Sequence, residues 1–578
     1  MENQRLIIFI ALSFVVLLMY NAWQEQFSPK RQLSSGSEAP KQAVTNTPPA
    51  PGGAPANVAT PPTDIPAGPA STAPTTGVAK PAIDNSALAR GQRIRVTTDL
   101  LDVEIDTLGG DIRKASLLKF PENLAEPNTP VVLFNDELPY VLVAQSGLVA
   151  SQGQSADHHI QYSPEQTDYK LTDNQDTLKV KLSWKGDKGL TVVKTYTFSR
   201  NSYVIHMDVE LNNATPKLWA GRFYRQLQRS GNNPKDKPRF TNTFTGGIIS
   251  NENNKYEKIK FDKMATWKPD QDYAKGGWVA MIQHYFLGAW IPEQQQLNNF
   301  YTMQLNSGLF LIGISAADAQ IEPGKSATFS SSLYIGPKDQ QRLAKAAPNL
   351  QLTVDYGVLT VLSEPIFWLL KSIHKFVNNW GWSIIFVTLT IKLLFYKLSE
   401  KSYRSMARLR KFQPKVEQIR ERYGDDKQRM SQAMMDLYKK EKINPLGGCL
   451  PMLVQIPVFI ALYYVLLESV ELRQAPFGFG IFDLSASPIE ISKEFGWVTA
   501  IPYFALPLIM GISMFVQQKL NPAMMDPMQA KIMGMLPIVF TIFFTWFPSG
   551  LVLYWVANNI LSIIQQWYIT RNIARSTN

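Results

Sequence analysis

Five apolar segments, residues 382–396, 450–467, 497–516, 532–547 and 550–564, crowd the last third of this 578-residue chain. Runs of this kind enter hydrocarbon only as helices, because a bilayer core offers no water to satisfy backbone N–H and C=O groups. A sixth run, residues 6–23, follows Arg5 and ends in Met19-Tyr20-Asn21-Ala22-Trp23-Gln24 without a small-x-small cleavage pattern, so it reads as an uncleaved anchor rather than a signal peptide. One cysteine excludes an intrachain disulfide framework and any cysteine-rich metal site. The formal charge of +11 would suit nucleic acid, but the basic residues gather beside the apolar runs, which points to membrane topology rather than DNA.

Between the anchor (1–23) and residue 94 lies a Pro/Ala-rich linker (24–93), with twelve prolines from Pro29 to Pro81. Such a composition buries too little surface to fold and predicts a semi-extended tether. From 94 to 352 the period changes to two, as in Leu101-Asp102-Val103-Glu104-Ile105-Asp106, Leu178-Lys179-Val180-Lys181-Leu182 and Val204-Ile205-His206-Met207-Asp208-Val209-Glu210. Half-buried strands repeated over this length predict an all-β super-sandwich. It shows no nucleophile elbow, metal-spaced cluster or phosphate loop; His158-His159 read as a solvated turn, since neighbours on a strand face opposite ways.

Leu359, Leu362, Ile366, Leu369, Ile373 and Phe376 recur at helical spacing, opposite Lys371, Ser372, Lys375 and Asn378, which predicts an interfacial amphipathic helix within 353–380. The spans are then placed at 381–397, 446–468, 497–516, 532–548 and 549–569. Residues 398–445 carry thirteen Lys or Arg against seven acids, and 469–496 is acidic, so the basic segment belongs in the cytosol. Six spans put both termini there as well, including the tail 570–578, with the sandwich and the 469–496 loop on the periplasmic side and 517–531 cytosolic. Three of the apolar runs are short for a bilayer of about 30 Å, which implies either local thinning or boundary residues that extend each span.

Lys392 is the candidate functional group. A cation inside a span costs about 2.5–3.5 kcal/mol on insertion scales, and none of the five runs contains an acid to neutralise it. It either snorkels toward Lys397 or faces water. Thr388 lies one turn away, and the last span shows Tyr554, Asn558, Ser562 and Gln565 along one face, with Gln455, Thr541 and Thr545 on neighbouring spans. These groups predict a wet groove, the alternative being interhelical hydrogen bonds alone. Pro451, Pro457, Pro502, Pro507 and Pro537 predict bent helices. Residues 398–445 read as a helical hairpin, one helix carrying Met406 to Tyr423 and the other Met430 to Glu441, reversing at Gly424-Asp425. Its Arg404, Arg408, Arg410 and Lys411 are candidate contacts for RNA, anionic lipid or acidic protein.

The stretches Asn444-Pro445-Leu446-Gly447-Gly448-Cys449, Val470-Glu471-Leu472-Arg473-Gln474-Ala475-Pro476-Phe477, Asp526-Pro527-Met528-Gln529 and Trp546-Phe547-Pro548-Ser549-Gly550-Leu551-Val552-Leu553-Tyr554 resemble those of the YidC/Oxa/Alb family of membrane insertases, in its Gram-negative form. The resemblance spans the chain. It implies a non-enzymatic insertase and chaperone of the bacterial inner membrane, with no cofactor and no metal, built as a five-helix core with a periplasmic super-sandwich. It also implies a hydrophilic groove open to cytosol and lipid, whose essential cation maps to Lys392. Thr388 and Trp555 match groove positions, beside Tyr554, Asn558 and Gln455. Implied partners are nascent membrane proteins, the Sec translocon, ribosome or signal-recognition components and the phospholipid bilayer. Two rivals are a solute transporter with a periplasmic receptor domain, disfavoured by the lack of an intramembrane acid, and a membrane-anchored glycan-binding protein or enzyme.

Overall fold

The computed structural model describes residues 64–66, 88–124, 126–231, 243–424, 426–441, 450–520 and 527–575. The anchor 1–23, most of the tether, the Asn444 to Cys449 motif, Asp526 and the last three residues lie outside the described residues.

Residues 93–337 form two stacked antiparallel-rich sheets of eleven and nine strands. The larger is built around the long strands Asp111–Pro121, Leu142–Gln152 and Trp219–Arg229. The smaller is centred on Leu190–Ser199, Val204–Asn213 and Lys325–Pro337, with Val204 opposite Tyr334 and Asn213 opposite Lys325. Alternation decides which side chains fill the interior: Leu101, Val103 and Ile105 are buried on one strand and Ile205, Met207 and Val209 on another. The same alternation sends Lys194 inward from Leu190–Ser199. Its ammonium is satisfied by the carbonyls of Gly109 (2.6 Å) and Ser146 (2.7 Å) and by Ser146 Oγ (3.0 Å), while burial pulls its pKa down to about 8.

The chain then turns helical. We label α1 Thr360–Val377, α2 Trp380–Leu394, α3 Tyr396–Lys411, α4 Gln413–Tyr423, α5 Lys427–Lys440, α6 Leu450–Glu468, α7 Pro488–Phe495, α8 Trp497–Leu520, α9 Pro527–Phe543 and α10 Ser549–Arg575. The Asn379 side chain caps α2 by accepting from the Trp382 amide (3.1 Å), and a Ser487/Glu490 capping box starts α7. Among the described residues α8 alone is long and apolar enough to cross a bilayer; α2 and the residues after it pass the same test together, bent by 68° at Phe395. Val498, Ile501, Ile512 and Ile538 are exposed along α8 and α9, an apolar surface that suits lipid rather than water.

Four expectations change. The apolar run 550–564 belongs to a 27-residue helix, about 40 Å long, so length sets no need for thinning there. Residues 398–423 are two helices rather than one, parted at Phe412, because Pro414, in the first turn of the second helix, has no N–H to donate to the preceding turn and its ring crowds the carbonyl there. On α1 the buried stripe is Ser363, Phe367 and Leu370, on a helix packed against α2 and α6, whereas Phe376 is 90% exposed and Val361 and Trp368 are also open. This helix therefore carries apolar groups on two faces, only one of which finds protein. The tether is not uniformly unfolded either: Asp64 accepts through its carbonyl from Gln226 Nε2 (3.1 Å), Pro66 is buried, and the first strand starts at Arg93.

The sandwich joins the helices through one continuous core that includes Leu343, Leu350, Tyr356, Phe367, Leu462 and Val465. Polar contacts reinforce the seam. Lys338 Nζ donates to Glu468 Oε2 (2.6 Å), His284 Nε2 meets the Leu467 carbonyl (2.9 Å), and Arg473 donates to the Glu122 carbonyl (3.0 Å). Burial pulls the His284 ring down to about 4, so it stays neutral in the fold and donates to Leu467. An unfolded chain, with its imidazole near 6.5, takes up a proton below that pH which the folded chain refuses until about pH 4, so stability falls as pH drops through this window. Moving from pH 6.5 to 5 is expected to remove about 2 kcal/mol. Urea unfolding of the full chain at the two pH values checks this; a His284→Gln variant with the same pH slope would show the loss arises elsewhere.

Candidate functional site

Three helices bring the predicted polar groups together. Lys392 sits in the last turn of α2, Gln455 in the second turn of α6, and Tyr554, Asn558 and Ser562 follow one another at four-residue intervals on α10. Contacts of α10 with α2 and of α6 with α10 set the ridge of α10 against both partners. The Lys392 ammonium donates to Ser562 Oγ at 2.8 Å and to Gln455 Oε1 at 3.2 Å. Gln455 Nε2 in turn donates to Asn558 Oδ1, and Ser562 Oγ donates to the Asn558 carbonyl at 2.7 Å.

Every member of this network except the lysine is neutral. Among the described residues no carboxylate pairs with Lys392, and its two acceptors leave one of the three ammonium protons for another acceptor. The residue is part-buried, neither sealed among hydrocarbon side chains nor stretched into open solvent. Two further polar atoms on α10, Trp555 Nε1 and Gln565 Oε1, are buried without a hydrogen-bond partner among the described residues. Together they supply a donor and an acceptor along the same helix.

Tyr554 is buried and Trp555 half-buried. Phe459 holds both: its ring stacks on Tyr554 (5.8 Å between centroids) and meets Trp555 edge-on (4.8 Å), with Phe544 closing the other side of Trp555. Phe459 was absent from the sequence reading, although it lies four residues after Gln455 and hence on the same face of α6. Tyr403 on α3, which hydrogen-bonds Ser562, was also absent; no periodic signal marks it because the bend at Phe395 brings α3 back toward α10.

Other expected residues are satisfied locally. Thr388 is 1% exposed and donates to the Ile384 carbonyl one turn back, and Thr541 likewise donates to Pro537. Thr545 is half-buried and donates to the Ile542 carbonyl. These hydroxyls leave no free donor for a guest. On α3 Arg404 is paired with Glu400 (2.6 Å) on the exposed side, a contact worth little at a surface. The side chains of Arg408, Arg410 and Lys411 lie outside the described residues.

Comparison with known proteins agrees with this division into sandwich and helices. Residues 93–369 match the family model described as YidC periplasmic domain, and residues 372–576 match that described as 60Kd inner membrane protein. Relatives named membrane protein insertase YidC include one from Methylococcus capsulatus, 47% identical over 100% of this chain and 99% of its own length. One from Nitrosococcus oceani is 46% identical over 99% of both chains, and one from Alkalilimnicola ehrlichii is 47% identical over 99% of this chain and 96% of its own. With full-length identity on both sides of the seam between the β-rich periplasmic domain and the helical inner-membrane region, the chain belongs to the YidC family of membrane protein insertases.

Proposed function

We propose that this chain inserts nascent membrane proteins into the bacterial inner membrane, acting as an insertase and chaperone and not as an enzyme, through a polar groove between α2, α6 and α10. The observation that carries the mechanism is the Lys392 ammonium, held among the described residues by the neutral Gln455 and Ser562 alone, with a donor to spare. An acidic, translocating segment of a client takes that donor transiently, while its apolar segment leaves between the helices into lipid. The attraction lowers the barrier for the polar segment, and burial of apolar surface in hydrocarbon drives release. No bond is made or broken.

In this reading the chain has six spans, both termini in the cytosol and the sandwich in the periplasm, as the basic 398–445 segment requires. Lys371, paired with Glu471 at 3.5 Å, and the open apolar face of α1 then lie at the periplasmic surface of the bilayer. Arg404, Arg408, Arg410 and Lys411 face ribosome or signal-recognition components, and the spans work alone or beside the Sec translocon.

Photocrosslinking to a stalled nascent membrane protein tests the groove. A crosslinker at position 555 or 455 is expected to capture the nascent chain at least several-fold more than one at Ile538, which is exposed on α9 away from the network. Position 388, fully buried, is expected to crosslink weakly. Equal capture from 555 and 538 would remove the groove as the client's path.

A further inference from the structure

We propose that Asp64, His158 and His159 form a site for a divalent cation of the zinc class, which fastens the proline-rich tether to the periplasmic sandwich. The three residues come from two places: Asp64 from the tether, the histidines from a turn between strands of the sandwich. Their ligand atoms all lie within 4.8 Å of one another, with His158 Nε2 3.1 Å from Asp64 Oδ2 and His159 Nε2 3.0 Å from Asp64 Oδ1. Four-coordinate zinc bound at about 2.0–2.1 Å holds neighbouring ligand atoms a little over 3 Å apart, so a cation enters with small side-chain shifts. Two imidazoles and one carboxylate select zinc, nickel or copper over magnesium or calcium, which prefer oxygen alone.

The surroundings suit the role. His158 is 1% exposed, and its Nδ1 abuts the Tyr224 hydroxyl, which also accepts from the His158 amide at 3.1 Å. A cation on Nε2 places the ring proton on Nδ1, where the Tyr224 oxygen accepts it, the kind of outer contact that orients a ligating imidazole. Gln226 anchors Asp64 independently by donating to its carbonyl (3.1 Å). The His159 side chain is 41% exposed and gives a cation, and a water as fourth ligand, a way in from solvent. The turn expected from the sequence is present but His158 is buried in it rather than solvated, and the two adjacent rings converge, with centroids 4.1 Å apart.

The test uses tag-free full-length protein in detergent, stripped with chelator and titrated with Co2+ as an optical probe. One Co2+ per chain is expected, displaced by Zn2+, with affinity about 100-fold weaker or worse in Asp64→Ala and in His159→Ala. Neither variant touches the sandwich core, so folding is retained; His206→Ala, on an exposed position of the other sheet, is expected to bind as the parent does. Hydrogen exchange at residues 64–66 is expected to slow at least tenfold with Zn2+ in the parent and not in Asp64→Ala. Co2+ binding unaffected by Asp64→Ala and His159→Ala overturns the site. Exchange at 64–66 that is equally slow without metal overturns the fastening role and leaves a hydrogen-bonded clamp.

Discussion

Lys392→Glu is expected to lower insertion of clients with acidic leading segments by at least tenfold, while Lys392→Arg keeps most of it. At about 6 Å and an effective dielectric constant of about 20, a carboxylate gains about 3 kcal/mol from the ammonium, roughly a factor of 100, part of which its own desolvation offsets. Reversing the charge turns that gain into repulsion. An arginine keeps the charge and can still donate to Gln455 and Ser562, because neither acceptor demands the lysine's point-charge geometry. Reconstituted vesicles and a pair of clients that differ only in acidic or neutral leading residues give the measurement. The discrimination between the two clients should collapse in Lys392→Glu. A variant that inserts both clients at the parent's rate would remove electrostatic attraction from the mechanism.

Glu468→Ala is expected to destabilise the seam between sandwich and helices by about 3–5 kcal/mol, because it leaves the Lys338 ammonium buried without its counterion. The two side chains are 3% and 7% exposed and 2.6 Å apart, so neither can turn to water without parting the seam. Glu468 is the last residue of α6, so Lys338 also stands at the helix end that favours a cation. The combined Lys338→Met, Glu468→Leu variant should recover most of the loss, since removing both charges removes both desolvation costs. Proteolysis between the sandwich and α1, with urea unfolding of the full chain, reads the seam directly. A cost below about 1 kcal/mol for Glu468→Ala alone would mean the pair behaves as a solvated surface contact.

Much of the fold was legible because its signals are local. Alternation at Leu101 to Asp106 and Val204 to Glu210 reports the pleat of a half-buried sheet, and it survives in the burial of every second side chain. The polar stripe on α10 and the isolated charge of Lys392 were equally readable, since helical spacing alone places Tyr554, Asn558 and Ser562 on one face. What failed depended on partners. The buried stripe of α1 could not be chosen from its sequence, because two of its faces are apolar and packing against α2 and α6 decides which is covered. Phe412, ahead of Pro414, did carry a local signal in the proline, and the hairpin reading passed over it.

The sequence by itself determined that one cation would sit among neutral apolar helices and that a β-rich domain would precede them. Tertiary structure decided which neutral groups hold that cation, that Phe459 and Tyr403 border it, that Lys338 and Glu468 lock the domains together, and that Asp64 reaches His158 and His159 across 94 residues of chain. The division has a simple cause. Periodicity and charge are properties of neighbouring residues, whereas a hydrogen bond between Lys392 and Ser562, 170 residues apart, exists only once helix packing has fixed both ends.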